Sequence, residues 1–541
     1  MRSSSRTPNH RPKASSHRRR KLESKSCSVP VELTFDHLLA QTNTSIDLSL
    51  IPEPELVFAG KNTCEDPRTG LLAFGPYSKT DTTRRDIVRF GIVGPAEAVD
   101  RAIQLIERLR APIEHDPTLD VMLHPSFPGL NDSDPFQVQF VTQSSWQETL
   151  RVADVAQIVN HPSFTSRVAL LREAVRKEVT ALRALDPHPD VVLVAMTQPL
   201  EELCRVGIAE HDAEKKRVAD GDEDNPEDVV EDGAPDEPDD DEAEDEDEGS
   251  RSFRRALKAD SLGLLPTQLL WHRTLAGGRG VQDAATRAWN LSVALMYKAG
   301  IIPWRLTDAM AGSCFVGISF FRPEGDDKSL LRTSVAQVFT DGGEGFVLQG
   351  DQFEWDSKKQ QEKAPHLSRE EAKTLLEQVL KTYEEQIQCQ PRKVVIHKSS
   401  RYTADERAGF EDALRGISHY ALVTIGRRGI CCLRPGNKPT LRGTLVDFGK
   451  KRGLLYTMGY IPFLRCYPGF RIPQPLEVME NWGSLSLRDV SEDIMRLTKL
   501  NWNTSAYSCV DPISVAFSRR VGQILRVANT KEPALHYRYY M

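Results

Sequence analysis

Two runs separated by a glycine-rich break decide the reading of this chain: SFRRALKADSLGLLPTQLLWHRTL (252–275) and TRAWNLSVALMYKAGIIPWRL (286–306). Arg254 and Lys258 are four apart, so a helix puts them on one face. Gln268 lies in PTQLLW, a Pro-led apolar run that reads as a strand. Lys298 stands near the end of a helical segment closed by Gly300. Two cations on one helix face, an amide nearby and a third cation on a neighbouring helix can converge on one anion. A phosphate suits such a set, because it offers several acceptor oxygens and up to two negative charges. Spacing alone leaves two plainer readings open. Lys298 also complements the dipole at its helix end, and Arg254 with Lys258 also fits an ordinary solvated face.

The flanks set the fold. Upstream, strand-like DIVRFGIVGP (86–95) precedes an amphipathic helix, AEAVDRAIQLIERLR (96–110). FQVQFVTQ (136–143) reads as a second strand, 168–185 as a helix, and DVVLVAMTQPLEEL (190–203) as a buried strand entering a turn. Strand alternating with helix predicts a parallel sheet with helices on both faces. Downstream come three strand-like runs, GSCFVGISFF (312–321), LRTSVAQVFT (331–340) and GFVLQGDQFEW (345–355). A helix follows at 368–388, opened by Ser368 with Glu371 three later, a capping-box pattern. The strand PRKVVIHKSS (391–400) comes next. Meander, helix, strand is the order of an RNase H-like fold. The fold class expected is therefore α/β, a Rossmann-like half followed by an RNase H-like half.

The pocket stretch resembles the guide 5′-phosphate pocket of the MID domain in Argonaute and Piwi proteins. That family's pattern is a Tyr, His or Arg, a Lys four later, a Gln, and a distant Lys before a Gly-Pro-Trp-like turn. Arg254, Lys258, Gln268 and Lys298 match it, and Pro303-Trp304 falls at the turn. Arg254 departs from the usual aromatic or His, which changes how a first base would stack. The similarity extends with gaps from about Glu53 to the end. It is greatest to the short prokaryotic Argonautes, which carry MID and PIWI and lack the N and PAZ domains. Residues 1–28, Ser- and Arg-rich with almost no apolar residues, read as a disordered basic tail. The resemblance implies a segment at 29–90 that leads in and packs on PIWI. It then implies a MID domain at 91–304 and a PIWI domain at 305–541.

Charge is unevenly spread. The chain of 541 residues has net charge −7, yet 220–248 holds nineteen Asp and Glu and no Lys or Arg, so the remainder carries +12. That acidic run cannot build a core, and we expect a disordered loop at about 211–250. The first 26 residues contribute +8, from nine Lys and Arg against one Glu. The basic body suits a nucleic-acid groove. No apolar run approaches the roughly 20 residues of a membrane helix, and no apolar core follows the N-terminal arginines as a secretory signal requires. The nine cysteines show no CxxC spacing, which points to a reducing compartment and a cytoplasmic protein. Cys431-Cys432 sits in what reads as a buried strand.

In PIWI nucleases two metal ions held by carboxylates cut the phosphodiester. The first Asp of that family stands in a Gly-Ile-Asp phrase; here it is Gly317-Ile318-Ser319. The second falls in His397-Lys398-Ser399-Ser400, with Ser399 at its place, and Ser518 or Arg519 occupies the region of the last ligand. Glu344 alone cannot bind two cations, and a serine hydroxyl is a neutral, poor ligand. We therefore expect no slicing. Arg427, Arg428, Lys450, Lys451 and Arg452 are candidate backbone contacts, together with Asn501 of LTKLNWNT, which looks like the PIWI signature before the last helix. Tyr456, Tyr460 and Tyr467 read as sheet core. In Piwi-like proteins the C-terminal carboxylate returns to the phosphate site and helps hold a divalent cation. Met541 would supply it here, with Mg2+ as the structural cofactor; a simple apolar staple of LHYRYYM stands as the alternative.

The resemblance implies guide RNA and single-stranded target DNA as ligands. It also implies a partner with an analogue-of-PAZ domain fused to a sirtuin-like or TIR-like NAD-consuming effector or a nuclease, in a heterodimer that oligomerises on target binding. Two other readings stand beside it. One is an active guide-directed nuclease with displaced ligands. The other is a nucleotide sensor, although GGRG at 277–280 lacks the GxGxxG pattern after a strand.

Overall fold

The computed structural model describes residues 46–80, 85–130, 135–204, 248–278, 281–307, 312–323, 330–339, 345–355, 364–427, 430–436, 438–469, 471–528 and 533–541. The tail at 1–28, most of the acidic run, Glu344 and Arg428 lie outside them.

The first half is built on a parallel sheet. Ile87–Gly94 is flanked by Gln139–Val141 and Val191–Ala195, and Val191–Ala195 by Thr267–Leu270; Gln147–Thr149 also joins Ile87–Gly94. Successive residues of a strand point to opposite faces. Val191, Leu193 and Ala195 accordingly join one core with the helix Ala96–Leu109, while Val192 and Val194 join another with the helix Phe164–Arg183. Both faces are covered, which is why these strands are near-continuous apolar runs. The strand expected at 136–143 shrinks to Gln139–Val141, following Gln137 at φ 51°, a left-handed conformation no regular strand accommodates.

The second half is a nine-stranded mixed sheet. Its order is Asp47–Leu50, Thr444–Asp447, Gly453–Leu455, Leu476–Gly483, His419–Arg427, Lys393–Lys398, Ser313–Phe321, Leu330–Phe339, Gly345–Glu354. The last three form the antiparallel meander. The chain then returns through the helix Arg369–Ile387 to lay Lys393–Lys398 parallel to Ser313–Phe321. The capping box forms as read: Ser368 N–H donates to Glu371 Oε2 (2.7 Å) and Glu371 N–H to Ser368 Oγ (3.3 Å). Cys314, Val316 and Ile318 face that helix, and Phe315 faces the C-terminal helix Ile513–Ala528. Cys431 and Cys432 are not in a buried strand. The strand ends at Arg427, and both cysteines are half-buried in the following loop, where Cys432 N–H donates to Tyr456 Oη.

A small antiparallel sheet of Thr63–Cys64, Leu56–Val57 and Arg305–Leu306 ties the N-terminal segment to the chain that leaves the first half. The same segment is pinned to the second half through Glu53. Its carboxylate takes Arg442 Nε (2.8 Å) and Lys499 Nζ (2.9 Å). Burial pushes Glu53 up, but those two cations outweigh it and hold the carboxyl below its ordinary value.

Candidate guide-end pocket and the PIWI floor

The sequence-predicted cations meet in a cavity of about 240 Å³. The helix Glu248–Ser261 presents Arg254 and Lys258 to it. That helix opens at Glu248, inside the stretch expected to lack structure to about residue 250. Phe253 and Leu257 bury its other side, Phe253 against Trp271 (6.0 Å), and Arg172 clamps its end through both oxygens of Asp260 (2.8 and 2.9 Å). Lys258 is 3% exposed, and its Nζ donates to the Thr267 carbonyl. The next residue, Gln268, turns its amide oxygen to Lys298 Nζ.

Lys298 is 2% exposed, in the last turn of the helix Ala284–Lys298. That turn is closed by Gly300 at φ 89°, where a side chain would be strained. Asp283 caps the other end by accepting from Thr286 N–H (3.0 Å).

The second half completes the walls. The helix Ile513–Ala528 contributes Arg520, and the tail contributes Tyr540 and Met541, the latter 6% exposed. The tail is held by stacking of Tyr537 on Phe517 (3.5 Å, 9°) and by Val347 N–H donating to the Leu535 carbonyl (2.7 Å). The predicted set of Arg254, Lys258, Gln268, Lys298 and Met541 thus lines one cavity, with Trp304 buried behind and donating to the Lys499 carbonyl (2.8 Å). Sequence reading missed Arg255, Arg273, Arg287 and Arg520, which line it too. Arg520 is more than 200 residues from the others, and no local pattern marks it.

Among the described residues, no Asp or Glu side chain lines this cavity. Arg273 has Glu201 behind it (3.2 Å) and Arg287 bonds the Thr274 carbonyl (3.1 Å). Burial, then Lys298 and Arg254, drives Lys258 well below the ordinary lysine value. Burial, then Arg254 and Arg520, lowers Lys298 to about 7.

Elsewhere the predicted contacts disperse. Arg427 pairs with Asp511 (2.9 Å), which Arg519 shares (3.0 Å). Lys451 Nζ donates to the Gly483 carbonyl (2.6 Å), and Arg452 lies 3.6 Å from Glu477. Lys450 is exposed, in a turn where Gly449, Lys450 and Lys451 all have positive φ (77°, 53° and 59°). Asn501 accepts from Asn503 N–H (3.1 Å). Tyr456 is core, whereas Tyr460 and Tyr467 are half-buried.

On the PIWI floor, Gly317 pairs with His397 and Ile318 with Lys398, where the pairing ends; Ser319 and Ser399 are the residues that follow. Ser319 is 7% exposed, and its hydroxyl donates to the Ser518 carbonyl (2.8 Å). A Cβ at Gly317 would come within 1.7 Å of the Ser514 carbonyl oxygen, so the C-terminal helix lies directly on this strand. His397 bonds Ser514 Oγ (2.6 Å) and burial lowers its pKa to about 3. Lys398 turns to the other face, onto Glu406 (2.6 Å). Among the described residues, no group of three or more His, Cys, Asp or Glu is arranged to hold a metal ion. No described helix is long and apolar enough to cross a membrane.

No protein-family model matches the sequence, and no curated protein matches it. Solved structures do match the fold. Clostridium butyricum Argonaute, bound to a guide DNA (5′ deoxycytidine) and a 19-mer target DNA, aligns with TM-score 0.56 at 14% identity over 93% of this chain and 55% of its own. A. aeolicus Argonaute aligns with TM-score 0.51 at 15% identity, over 90% and 54%. Drosophila Piwi aligns with TM-score 0.53 at 13% identity, over 91% and 56%. The chain spans about half the length of these proteins. Its fold is that of Argonaute and Piwi proteins, with the two sheets in the places of MID and PIWI.

Proposed function

We propose that this chain is a guide-dependent nucleic-acid recognition protein of the short Argonaute type. It seats the 5′-phosphate of a small guide RNA in the cavity between its halves. Guide bases then pair with a single-stranded DNA target along the nine-stranded sheet, so that pairing reads sequence and the protein reads backbone. The observation that carries this is the cavity itself, lined by Arg254, Lys258, Gln268, Lys298 and Arg520 and, among the described residues, by no acidic side chain. Gln268 and the Met541 carboxylate are the groups that would hold magnesium there, with phosphate oxygens and water completing its shell. The ion would add charge neutralisation; the cationic side chains carry most of that load, since the donor set holds no Asp or Glu.

The same reading makes the protein a non-slicer. Ser319 and Ser399 stand where the family's carboxylates would be, and Ser319 is engaged by the helix above it. Target recognition would then pass to an analogue-of-PAZ partner carrying an NAD-consuming or nuclease effector, in defence against invading DNA. Differential affinity of the complex for target-bound and target-free states would shift it to the active form.

The test is purification of the chain from its host and sequencing of the nucleic acid that comes with it. Short RNAs with 5′-phosphates support the reading; random fragments with no common end sink it. Purified guide-loaded protein that cuts a matched target with Mg2+ would remove the non-slicing half alone.

A further inference from the structure

The adjacent pair Cys431-Cys432 takes no part in the guide-end pocket. It lies in the loop that follows the strand His419–Arg427. Both thiols are free and half-buried. The residues on either side stand out into solvent, Ile430 at 56% and Leu433 at 80% exposed. The loop is therefore at the surface, within reach of a small oxidant.

The backbone of the pair is held from the sheet behind it. Tyr456 is fully buried, and its hydroxyl accepts from Cys432 N–H and donates to the Cys432 carbonyl (3.4 Å). Thr440 Oγ1 donates to that carbonyl as well (2.7 Å). Both thiols bear on the same phenol. Tyr456 is pushed up to about 12, by burial first, with Cys432 and then Cys431 adding to it. Two thiols on neighbouring residues thus lie near one hydroxyl, in a loop whose backbone that hydroxyl fixes.

We propose that Cys431 and Cys432 form a reversible redox site, closing to a disulfide between adjacent residues under oxidised glutathione and reopening under its reduced form. In the closing reaction one cysteine thiolate attacks a sulfur of oxidised glutathione and releases one glutathione. The neighbouring thiolate then attacks the cysteine sulfur of the mixed disulfide and releases the second. The two cysteines lose two electrons to the glutathione disulfide, and their two protons leave on the two glutathione thiols. The second step is fast, because the attacking thiol is always next in the chain.

The product is strained. Consecutive Cα atoms across a trans peptide are about 3.8 Å apart, whereas ordinary disulfides span roughly 4.4–6.8 Å. Strained or exposed disulfides are the easily reduced ones, which suits a reversible site and not a structural one. In a reducing compartment a lasting disulfide is rare, while a transient one serves as a sensor. Closure has to turn the peptide between the two residues, and so pulls the Cys432 N–H and carbonyl away from Tyr456 and Thr440. A ring this short also constrains the unfolded chain least. Closing therefore removes hydrogen bonds from the folded state with little compensation, and the loop loosens from the sheet. Arg434 and Lys438 follow in the same stretch, against the Tyr460 ring (5.3 and 4.5 Å). Their placing changes with the redox state.

The experiment treats the full chain with oxidised and then reduced glutathione. Free thiols are alkylated in denaturant after each step, and the proteolytic peptide carrying both cysteines is weighed by mass spectrometry. The exposed Cys389 serves as the control for a single thiol. The expected result is a peptide that has lost two hydrogens and carries no glutathione, while Cys389 carries one. Reduced glutathione should restore both. Cys431→Ser and Cys432→Ser should each leave a glutathione on the remaining thiol in place of closing. The oxidised protein should melt at a lower temperature than the reduced one and regain its melting temperature on reduction. A lasting glutathione on the native pair, or two alkylated thiols under conditions that modify Cys389, would overturn the proposal. So would a disulfide from either cysteine to Cys466 or to a second chain. A closed pair whose melting temperature is unchanged or raised would overturn the release of the loop, and with it the redox switch. The native protein alone decides the matter if a serine variant does not fold.

Discussion

Lys298 and His397 show how single residues in this chain are set by burial. Lys298 is held by Gln268 in a cavity that Arg254 and Arg520 also line. Replacing both Lys258 and Lys298 by Ala should cut the preference for 5′-phosphorylated over 5′-hydroxyl RNA by one to several orders of magnitude. Each charge-assisted contact contributes about 1.5–3 kcal/mol. Filter binding of the two RNAs measures it, and an unchanged ratio places the phosphate elsewhere. His397 is the opposite case, a histidine kept neutral beneath the C-terminal helix. Its folded pKa of about 3 lies below the ordinary 6.5. Between those values the unfolded chain binds a proton that the folded chain does not. Its contribution to stability is therefore present above about pH 6.5 and lost as pH falls toward 3, by up to about 1.4 kcal/mol per pH unit. His397→Gln should flatten the acid side of a melting-temperature profile. A profile as steep as that of the parent would assign the acid sensitivity to other groups.

At the scale of elements, the contact between the strand Ser313–Phe321 and the helix Ile513–Ala528 decides what the PIWI floor can do. Gly317 lets the helix backbone sit against the strand, and Ser319 then donates to the Ser518 carbonyl. An Asp at 319 would set a carboxylate against that carbonyl oxygen, an acceptor against an acceptor. Ser319→Asp combined with Ser399→Asp should therefore lower stability, by about 1–3 kcal/mol for the buried mismatch, without giving metal-dependent cleavage. Cleavage by this double variant would show that carboxylates alone were wanting.

The tail obeys the same logic of packing. Tyr537→Ala removes the ring stacked on Phe517 and should cost about 3–5 kcal/mol. If Met541 serves the pocket, it should weaken phosphorylated-guide binding more than hydroxyl-guide binding, as should residues appended after Met541. Equal weakening of both would reduce the tail to an apolar staple.

Elements also show which parts of the molecule were legible. Ser368 and Glu371 announce their capping box because both partners lie within one turn. Lys258 and Arg254 announce a shared face for the same reason. Arg520 and Asn290 announce nothing, since their places in the pocket wall are set by how two sheets dock. Arg427 reads as a groove cation until the fold supplies Asp511 from 84 residues away. Cys431-Cys432 reads as strand because the apolar run continues past Arg427, where the sheet's pairing stops.

For the molecule as a whole, the joint between the sheets is a continuation of the pocket wall. Asn290 lines the cavity, and its side-chain oxygen accepts from Thr504 Oγ1 (3.0 Å), Ser505 N–H (2.9 Å) and Ser505 Oγ (2.9 Å) on the loop after the PIWI signature. Two turns further along that helix, Tyr297 stacks on Trp502 (4.5 Å, 29°). Lys298 follows directly, so a ligand on Lys298 and Arg520 bears on both halves and on the contacts that join them. Binding to the native state alone stabilises it by about 2.7 kcal/mol at a ligand concentration one hundred times Kd. A ligand spanning the joint passes that stabilisation to both halves, whereas one held by a single half leaves the other to melt as before. Calorimetric melting with phosphorylated guide should therefore show one transition, moved upward as a unit. Asn290→Ala removes the shared acceptor and leaves Arg254, Lys258, Gln268 and Lys298 of the cavity wall in place. It should split or broaden that transition while keeping most of the preference for a phosphorylated end. Two transitions in the parent protein, with only the earlier-melting half responding to guide, would mean that the cavity belongs to one half and that the joint carries no information from guide to target.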